Sequence, residues 1–248
     1  MRLNHDKCKI MYFGKKNRSK TVYTLKNFET STRSIIMETD NERDLGVQLS
    51  KNLKWNIQVK NAANRANSVL GMLKRTFIYW NCDTLKNLYV TFVRPHLEYA
   101  SSVWSPYLKK DIKILELVQR RATKLVPHLK NLKYEERLKK LGLTTLEERR
   151  IRGDMIQYYK CLNGYNKIDW FNPNTIVSSV SLNGPASSIR GNKHRLNRQF
   201  IRNFPQRENF FTNRIVPYWN DLPSVVIDSK SINSFKANYD KFKAGKLD

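Results

Sequence analysis

The chain has 248 residues, and its composition, 40% hydrophobic and 27% charged, is that of a globular protein with one large or two modest domains. Its 46 Lys and Arg residues outnumber its 21 Asp and Glu residues, which gives a net charge of +25. This excess of cations favours nucleic acid as the partner rather than a small-molecule substrate. The sequence contains no uninterrupted apolar run of about 18 residues, so we expect no membrane partner.

The N-terminal part, residues 1–58, has the pattern of short strands bounded by polar turns. In its last stretch, Leu45, Val47 and Leu49 alternate with more polar or smaller residues, which is the period of a half-buried strand. We expect a β-rich piece that is too small to form an independent sheet domain. The other strand candidates are 8–13, 21–25 and 35–38, with a turn over 14–17.

Residues 59–130 are predicted to form a bundle of three helices. After Trp55 the apolar residues recur with the period of a helix. A second helix begins near Thr84 and meets Pro95, which lacks an N–H donor and should bend or end it. The apolar stripe of the first helix consists of Val59, Ala62, Ala63, Ala66, Leu70, Leu73 and Phe77.

The third helix of this bundle begins at Asp111 and is both amphipathic and basic. Its apolar residues recur at steps of three or four and therefore share one face. Lys113, Arg120 and Lys124 project from the opposite face, where long cations can each meet a phosphate without reading a base sequence. The alternative is an ordinary solvated helix face. The apolar face consists of Ile112, Leu115, Val118, Ala122 and Leu125.

Residues 131–171 are predicted to form two further helices. The first covers 134–141 and ends at Gly142, in the position of a C-terminal cap. The second follows a capping box within 144–148 and runs to about Leu162. Three arginines of this helix, Arg149, Arg150 and Arg152, are expected to add to the basic surface.

The last two segments differ sharply in composition. Residues 172–197 are rich in Ser, Asn and Gly and are predicted to be a flexible linker. In the basic, aromatic subdomain predicted at 198–248, Phe, Tyr and Trp residues interleave with arginines. Such a mixture suits stacking on the bases of a single strand, and it equally suits a small aromatic core with arginines on its rim.

The sequence contains no motif for independent catalysis. It has no Asp-Asp pair of the kind that holds two metal ions in polymerases, and no P-loop, zincin or nucleophile-elbow motif. The densest acidic cluster, Asp40, Glu42 and Asp44, is more typical of turns and ion pairs than of a metal site. We expect no enzymatic activity from the chain on its own, and neither a metal nor a cofactor.

The cysteines Cys8, Cys82 and Cys161 are odd in number and far apart in sequence. Their spacing predicts neither a disulfide framework nor a four-ligand zinc site. We therefore expect an intracellular location, in the nucleus, the cytoplasm or both.

Six sequence blocks carry a resemblance to a known family. In chain order they read LNHDKCKIMYFG, ERDLGVQL, LYVTFVRPHLEYASSVWSP, LELVQRRATKLV, YEERLKKLGLTTLEERRIRGDM and FFTNRIVPYWNDLP. Together they resemble the C-terminal part of the reverse transcriptases of jockey-like non-LTR retrotransposons. The resemblance covers nearly the whole chain.

The resemblance implies a mainly helical α+β fold: a β-hairpin remnant of a polymerase palm over 1–58, a helical thumb over 59–130, and a basic, helical and irregular extension after residue 130. The catalytic Asp residues of the family lie upstream of the block that begins at Leu3. The resemblance therefore implies an RNA-directed DNA polymerase region without its active site, and Mg²⁺ is expected only for a complete polymerase.

The resemblance also assigns roles near the N-terminus. Lys7 matches a lysine thought to assist proton transfer to the leaving pyrophosphate, and is otherwise a surface lysine before a strand. The tripeptide Leu45-Gly46-Val47 matches the hairpin that supports the primer end. Gly46 would let a nucleic-acid backbone pass closely, or it marks a bulge.

Our leading hypothesis is that the chain binds template–primer nucleic acid through backbone phosphates and does not polymerise. An alternative is that the palm edge docks on a separate fingers–palm portion of a polymerase, and a third is that the chain is an element relic with no selected role. The candidate phosphate contacts are Lys113, Arg120, Arg121, Lys124, Arg149, Arg150 and Arg152.

Overall fold

A computed structural model describes residues 7–13, 21–26, 32–166 and 194–247. Short strands precede a chain of helices, which confirms the predicted mainly helical α+β class. The turn predicted at 14–17 and residues 172–193 of the predicted linker lie outside the described residues. The strands are β1 (Lys9–Ile10), β2 (Thr24–Lys26), β3 (Arg33–Ile35), β4 (Met37–Glu38), β5 (Asn41–Asp44) and β6 (Val47–Ser50).

The helices of the described residues range in length from four to 21 residues. A π-helical turn, Tyr89–Val93, lies between the second and third helices. The helices are α1 (Asn56–Thr76), α2 (Cys82–Leu88), α3 (Arg94–Glu98), α4 (Lys109–Ala122), α5 (Tyr134–Leu141), α6 (Leu146–Leu162), α7 (Pro205–Glu208), α8 (Phe211–Arg214), α9 (Val216–Asn220), α10 (Ser224–Ile227) and α11 (Ile232–Lys243).

The described strands pair two by two. Strand β1 runs parallel to β4, whereas β2 with β3 and β5 with β6 form antiparallel pairs. The β5–β6 hairpin turns at Leu45 and Gly46, whose φ angles of 44° and 84° are the positive values that a two-residue turn of this kind needs. The predicted strand through Leu45 is therefore wrong at its first residue, because the chain reverses there and leaves Leu45 exposed.

The acidic cluster lies on this hairpin. Glu42 and Asp44 belong to β5 rather than to a turn, so the expectation that they form turns is wrong for both. Asp40, just before the strand, makes the expected ion pair, with the Nζ atom of Lys51 at 2.5 Å.

Helix α1 forms where the apolar period predicts it, and its stripe is the centre of the first core. Six of the seven predicted stripe residues are buried, from Val59 to Leu73. The seventh, Phe77, lies beyond the helix end and is 37% exposed. Because this stripe packs on α3 and α4 and also on β6, the hairpin belongs to the same packed unit as the helices.

The helical segment that contains Pro95 continues past it. The chain widens into the π-helical turn, in which the Arg94 N–H donates to the Tyr89 carbonyl, five residues back. Pro95 follows directly at the start of α3, where its missing N–H removes one backbone bond from the continuous helical segment. The proline therefore interrupts the helix without ending it, and the segment runs on to Glu98.

Both predicted caps around α5 and α6 are confirmed. Gly142 closes α5 with a φ of 59°, in the left-handed region. At the start of α6, the Glu148 N–H donates to Thr145 Oγ1 at 3.2 Å, and the Thr145 N–H donates to Glu148 Oε2 at 2.9 Å. This reciprocal pair is the capping box that the sequence indicated.

The described residues build two hydrophobic cores that share α6. The first extends from Val47 to Leu146 and the second from Met155 to Tyr239, so the cores do not divide at the predicted boundaries at 58 and 130. Of the aromatic residues at 200–219 that the sequence interleaves with arginines, Phe211 and Trp219 are buried in the second core, whereas Phe200, Phe204, Phe210 and Tyr218 are exposed, so the prediction of an aromatic core holds for two of the six. Leu196, at the end of the predicted linker, is also buried in this core.

Candidate functional site

The clearest candidate site is a groove between the C-terminal ends of α1 and α4, with a volume of about 900 Å³. One wall comes from the last turns of α1 and from the connection that follows it. The other wall comes from the end of α4 and the segment up to Lys130. We refer to it as the α1–α4 groove, and its lining residues are Asn67, Leu70, Gly71, Lys74, Arg75, Phe77, Ile78, Trp80, Arg121, Lys124, Leu125, Pro127 and Lys130.

Cations dominate the polar lining of the α1–α4 groove, and no Asp or Glu is among the described residues that form it. All five cations are exposed, and within the described parts of the chain none of them makes an ion pair. Among these five side chains, within the described residues, only that of Arg121 donates a hydrogen bond, to Asn67 Oδ1 at 3.3 Å. The five cations are Lys74, Arg75, Arg121, Lys124 and Lys130.

The helix ends explain why cations are tolerated here. Lys74 and Arg75 occupy the last turn of α1, and Arg120 and Arg121 the last turn of α4. A helix C-terminus carries a partial negative charge, which stabilises a cation by roughly 0.3–1 kcal/mol. Five cations around one groove without an acidic residue in its described lining also repel one another, so an anion in the groove would be favoured.

The four predicted phosphate contacts of the α4 region lie in different surroundings. Arg121 and Lys124 line the α1–α4 groove. The guanidinium of Arg120 lies 3.9 Å from the centre of the Tyr134 ring, where it makes a cation–π contact and stays exposed. Lys113 is exposed on α4 but does not line the groove.

The predicted basic face of α6 is largely occupied by internal partners. Arg149 makes a two-pronged ion pair with Glu98, and Arg152 makes one with Asp240 through bonds of 2.6 and 2.7 Å. Arg150 was expected on the surface, and this expectation is wrong, since only 6% of the residue is exposed.

Arg150 serves the interior of the protein. Its Nη2 donates to the Leu97 carbonyl at 2.6 Å, and its guanidinium lies 4.4 Å from the Trp104 ring centre. Burial lowers the pKa of Arg150 to about 10, so the side chain is still protonated at neutral pH. Arg150 thereby satisfies the carbonyl of Leu97 in the last turn of α3, where the helix end leaves carbonyls without a helical partner.

The Leu45-Gly46-Val47 turn forms a hairpin, but contacts within the protein already account for its geometry. The Tyr99 hydroxyl donates to the Leu45 carbonyl at 2.9 Å. A Cβ atom on Gly46 would lie 3.2 Å from Tyr99 Cε1, so this side chain occupies the space next to the glycine. The assignment to a primer-supporting hairpin stays a prediction, and so does the role of Lys7, which is exposed.

The described residues offer no other obvious chemistry. They contain no group of three or more His, Cys, Asp and Glu side chains placed to hold a metal ion. Across the same residues, no helix combines the length and the apolar character needed to span a membrane.

Sequence reasoning missed two features of the groove. Lys74, Arg75 and Lys130 were not singled out as site residues, because a linear pattern does not show that the ends of α1 and α4 meet. The apolar connection 77–80 was also missed, although a signal existed: Phe77, the last residue of the helical stripe, begins a run of four large apolar residues.

Comparisons with known proteins leave the family open. No protein-family model matches the chain, and no solved structure matches it. An uncharacterized protein of Caenorhabditis elegans is 26% identical over 133 residues, which are 52% of this chain and 66% of the worm protein. None of these comparisons tests the resemblance to reverse transcriptases, which stays a prediction.

Proposed function

We propose that this chain binds nucleic acid through backbone phosphates in the α1–α4 groove, as the thumb-like part of a retrotransposon reverse transcriptase that does not polymerise on its own. One observation carries the proposal: five exposed cations without ion-pair partners in the described chain converge on a groove with no acidic lining residue. Phosphates are spaced along a chain, so a row of cations can meet several at once.

The α6 arginines contribute less to this function than their sequence indicates. Arg149 and Arg152 are already neutralised by carboxylates, and Arg150 is buried. The proposed phosphate contacts are therefore the groove cations, with Lys113 and Arg120 as exposed neighbours on α4. Contacts of this kind do not read bases, so binding is expected to be independent of sequence.

The test is a salt titration of the purified full chain with labelled nucleic acids of unrelated sequence. Five phosphate contacts give a slope of log affinity against log salt of about −4, or a roughly 200-fold loss of affinity between 50 and 200 mM salt. The double reversal Arg121→Glu with Lys124→Glu should weaken binding roughly 100-fold for every sequence.

The matched control reverses two lysines on the same helix, Lys109→Glu with Lys110→Glu. Both are exposed in the first turn of α4, about 18 Å along the helix from Arg121, and the helix dipole favours acidic residues there. The control should change affinity by less than about threefold, because it alters only the net charge of the protein and removes no phosphate contact. Affinity that does not depend on salt, or equal losses in both variants, would contradict the proposal.

The N-terminal strands support a second candidate function, docking on a separate fingers–palm portion of a polymerase. Val22, Ile35 and Met37 are each more than 60% exposed, and the described strands pair only two by two. Edges of this kind accept further strands. Mixing the chain with a fingers–palm fragment should then produce primer extension that neither part shows alone, and no gain on mixing would rule this candidate out.

A further inference from the structure

The connection between α1 and α2, residues 77–80, presents an apolar edge to solvent. Ile78 is 84% exposed, Tyr79 is 87% exposed and Phe77 is 37% exposed. Single exposed apolar residues are common on protein surfaces, but a run of three large ones is unusual unless it has a function. We refer to residues 77–80 as the aromatic edge.

The aromatic edge is a built structure. The Trp80 Nε1–H donates to the Phe77 carbonyl at 3.0 Å, and the two rings meet edge to face with centres 6.0 Å apart. At the N-terminal end of the edge the Phe77 N–H donates to the Leu73 carbonyl at 2.9 Å. At the other end Asn81 caps α2, where it accepts the Thr84 N–H at 2.8 Å. These bonds hold the connection so that Ile78 and Tyr79 point away from the core.

The aromatic edge and the groove cations belong to one surface. Phe77, Ile78 and Trp80 line the same groove as the five cations. Tyr79 lies between Ile78 and Trp80 in the sequence. A base has an apolar face of the size of an aromatic ring, and its phosphate is an anion. A groove that offers both kinds of contact side by side is therefore complementary to a nucleotide whose base is unpaired.

We infer that the α1–α4 groove binds a single-stranded segment, with bases stacked on the aromatic edge and phosphates on the cations. In a duplex the bases are stacked on each other inside the helix, so the aromatic edge would gain no base contact. This inference rests on the proposed function and adds a preference for unpaired nucleotides. A membrane surface also attracts aromatic residues and cations, but three residues of the aromatic edge and all five cations line a groove, which encloses a strand better than it enters a lipid headgroup layer.

The test compares fluorescently labelled single strands and duplexes of equal length, binding to the full chain at the same salt. The wild-type chain should bind the single strand at least about tenfold more tightly than the duplex. The variant Ile78→Ser with Tyr79→Ser should lose about tenfold in affinity for the single strand and less than about twofold for the duplex. Its salt slope should not change, because no charge is removed. Both side chains are more than 80% exposed, so the variant is expected to fold.

The matched control is Phe200→Ser, since Phe200 is 93% exposed and does not line the groove. It should leave both affinities unchanged. Equal losses for single strand and duplex, or tighter binding of the duplex, would overturn the inference while leaving the proposed function intact. Absence of salt-sensitive binding to any nucleic acid would remove both. A membrane role is tested with phosphatidylserine vesicles. If the wild-type chain binds them, and the Ile78 and Tyr79 changes abolish this binding but leave single-strand affinity the same, the aromatic edge belongs to a membrane site and the inference is overturned.

Discussion

The end of α4 and the start of α6 carry similar runs of arginine, yet their surroundings give these cations different roles. Arg121 and Lys124 border an open groove without an acidic residue in its described lining. On α6, Arg149 and Arg152 each face a carboxylate, and Arg150 reaches two backbone carbonyls in the interior. The comparison shows that the fold, and not the number of cations in a helix, decides which cations have an internal partner and which remain available to an anion.

The difference follows from where each helix lies. The last turn of α4 ends at the surface beside α1, so its cations meet water. Helix α6 passes from the first core into the second, and its arginines lie at the junction with α3 and α11. Buried or half-buried arginines must be paired to offset the loss of hydration, and this requirement removes them from the binding surface.

The largest expected effect comes from removing the carboxylate of Asp154, a residue of α6 that pairs with an arginine inside the protein. Its carboxylate accepts two bonds from Arg214, at 2.8 and 3.0 Å, while burial raises the pKa of Asp154. The change Asp154→Ala leaves the half-buried Arg214 without its carboxylate and should lower the free energy of unfolding by about 3 kcal/mol. Urea denaturation of the full chain measures this.

Asp221→Ala is the control for that experiment, because Asp221 is exposed. Its effect on the free energy of unfolding should stay within about 0.5 kcal/mol. A loss at Asp154 no larger than that of the control would mean that the ion pair contributes little to the stability of the fold.

The next largest effect is on nucleic-acid affinity, and it is measured with two double variants, one that neutralises groove cations and one that neutralises α6 arginines. Lys74→Gln with Lys130→Gln should reduce the steepness of the salt dependence by about 1.5 and lower nucleic-acid affinity roughly 30-fold at 100 mM salt. Arg149→Gln with Arg152→Gln should change affinity less than about twofold, because these charges are already neutralised. Fluorescence anisotropy at several salt concentrations distinguishes the two outcomes.

The same α6 double variant should also lower the stability of the protein. Each pair is partly exposed, so the free energy of unfolding should fall by about 1 kcal/mol for the two together. If this variant weakened nucleic-acid binding as much as the groove variant does, the distinction between free and internally paired cations would be wrong.

The smallest expected effect comes from releasing an internal cation. Asp240→Asn removes the carboxylate partner of Arg152 and makes that guanidinium available. Affinity should rise by no more than about threefold, because one additional cation outside the groove acts at a distance and is screened by salt. The control Asp221→Asn removes the same charge without freeing an arginine. If Asp240→Asn raises affinity no more than this control does, the gain reflects net charge alone.

Local sequence patterns predicted much of the helical part of the fold. The period of Val59 to Leu73 identifies the buried face of α1, and Gly142, Thr145 and Glu148 identify the helix ends, because these are interactions between near neighbours along the chain. The patterns failed where a distant contact decides the outcome. Leu45 was read as part of a strand, although it lies in a turn that Tyr99 supports through a contact 54 residues away.

The candidate site was predictable only in part. Lys124 is identified because it lies off the apolar face of α4, and Arg121 through the resemblance to a polymerase thumb, whereas Arg150 is wrongly assigned to the basic surface. Helix periodicity separates two faces of one helix but does not show whether a neighbouring element covers the second face, as it does on α6.

The sequence by itself determined the excess of cations, the amphipathic helices and their caps, because composition and near-neighbour interactions depend on the chain alone. Tertiary structure decided which cations are available. It paired Arg149 and Arg152 with carboxylates 51 and 88 residues away, and it brought the end of α1 against the end of α4 to form the groove. The reason is physical: the interaction of a charge depends on its distance from other charges and on its exposure to water, and packing sets both.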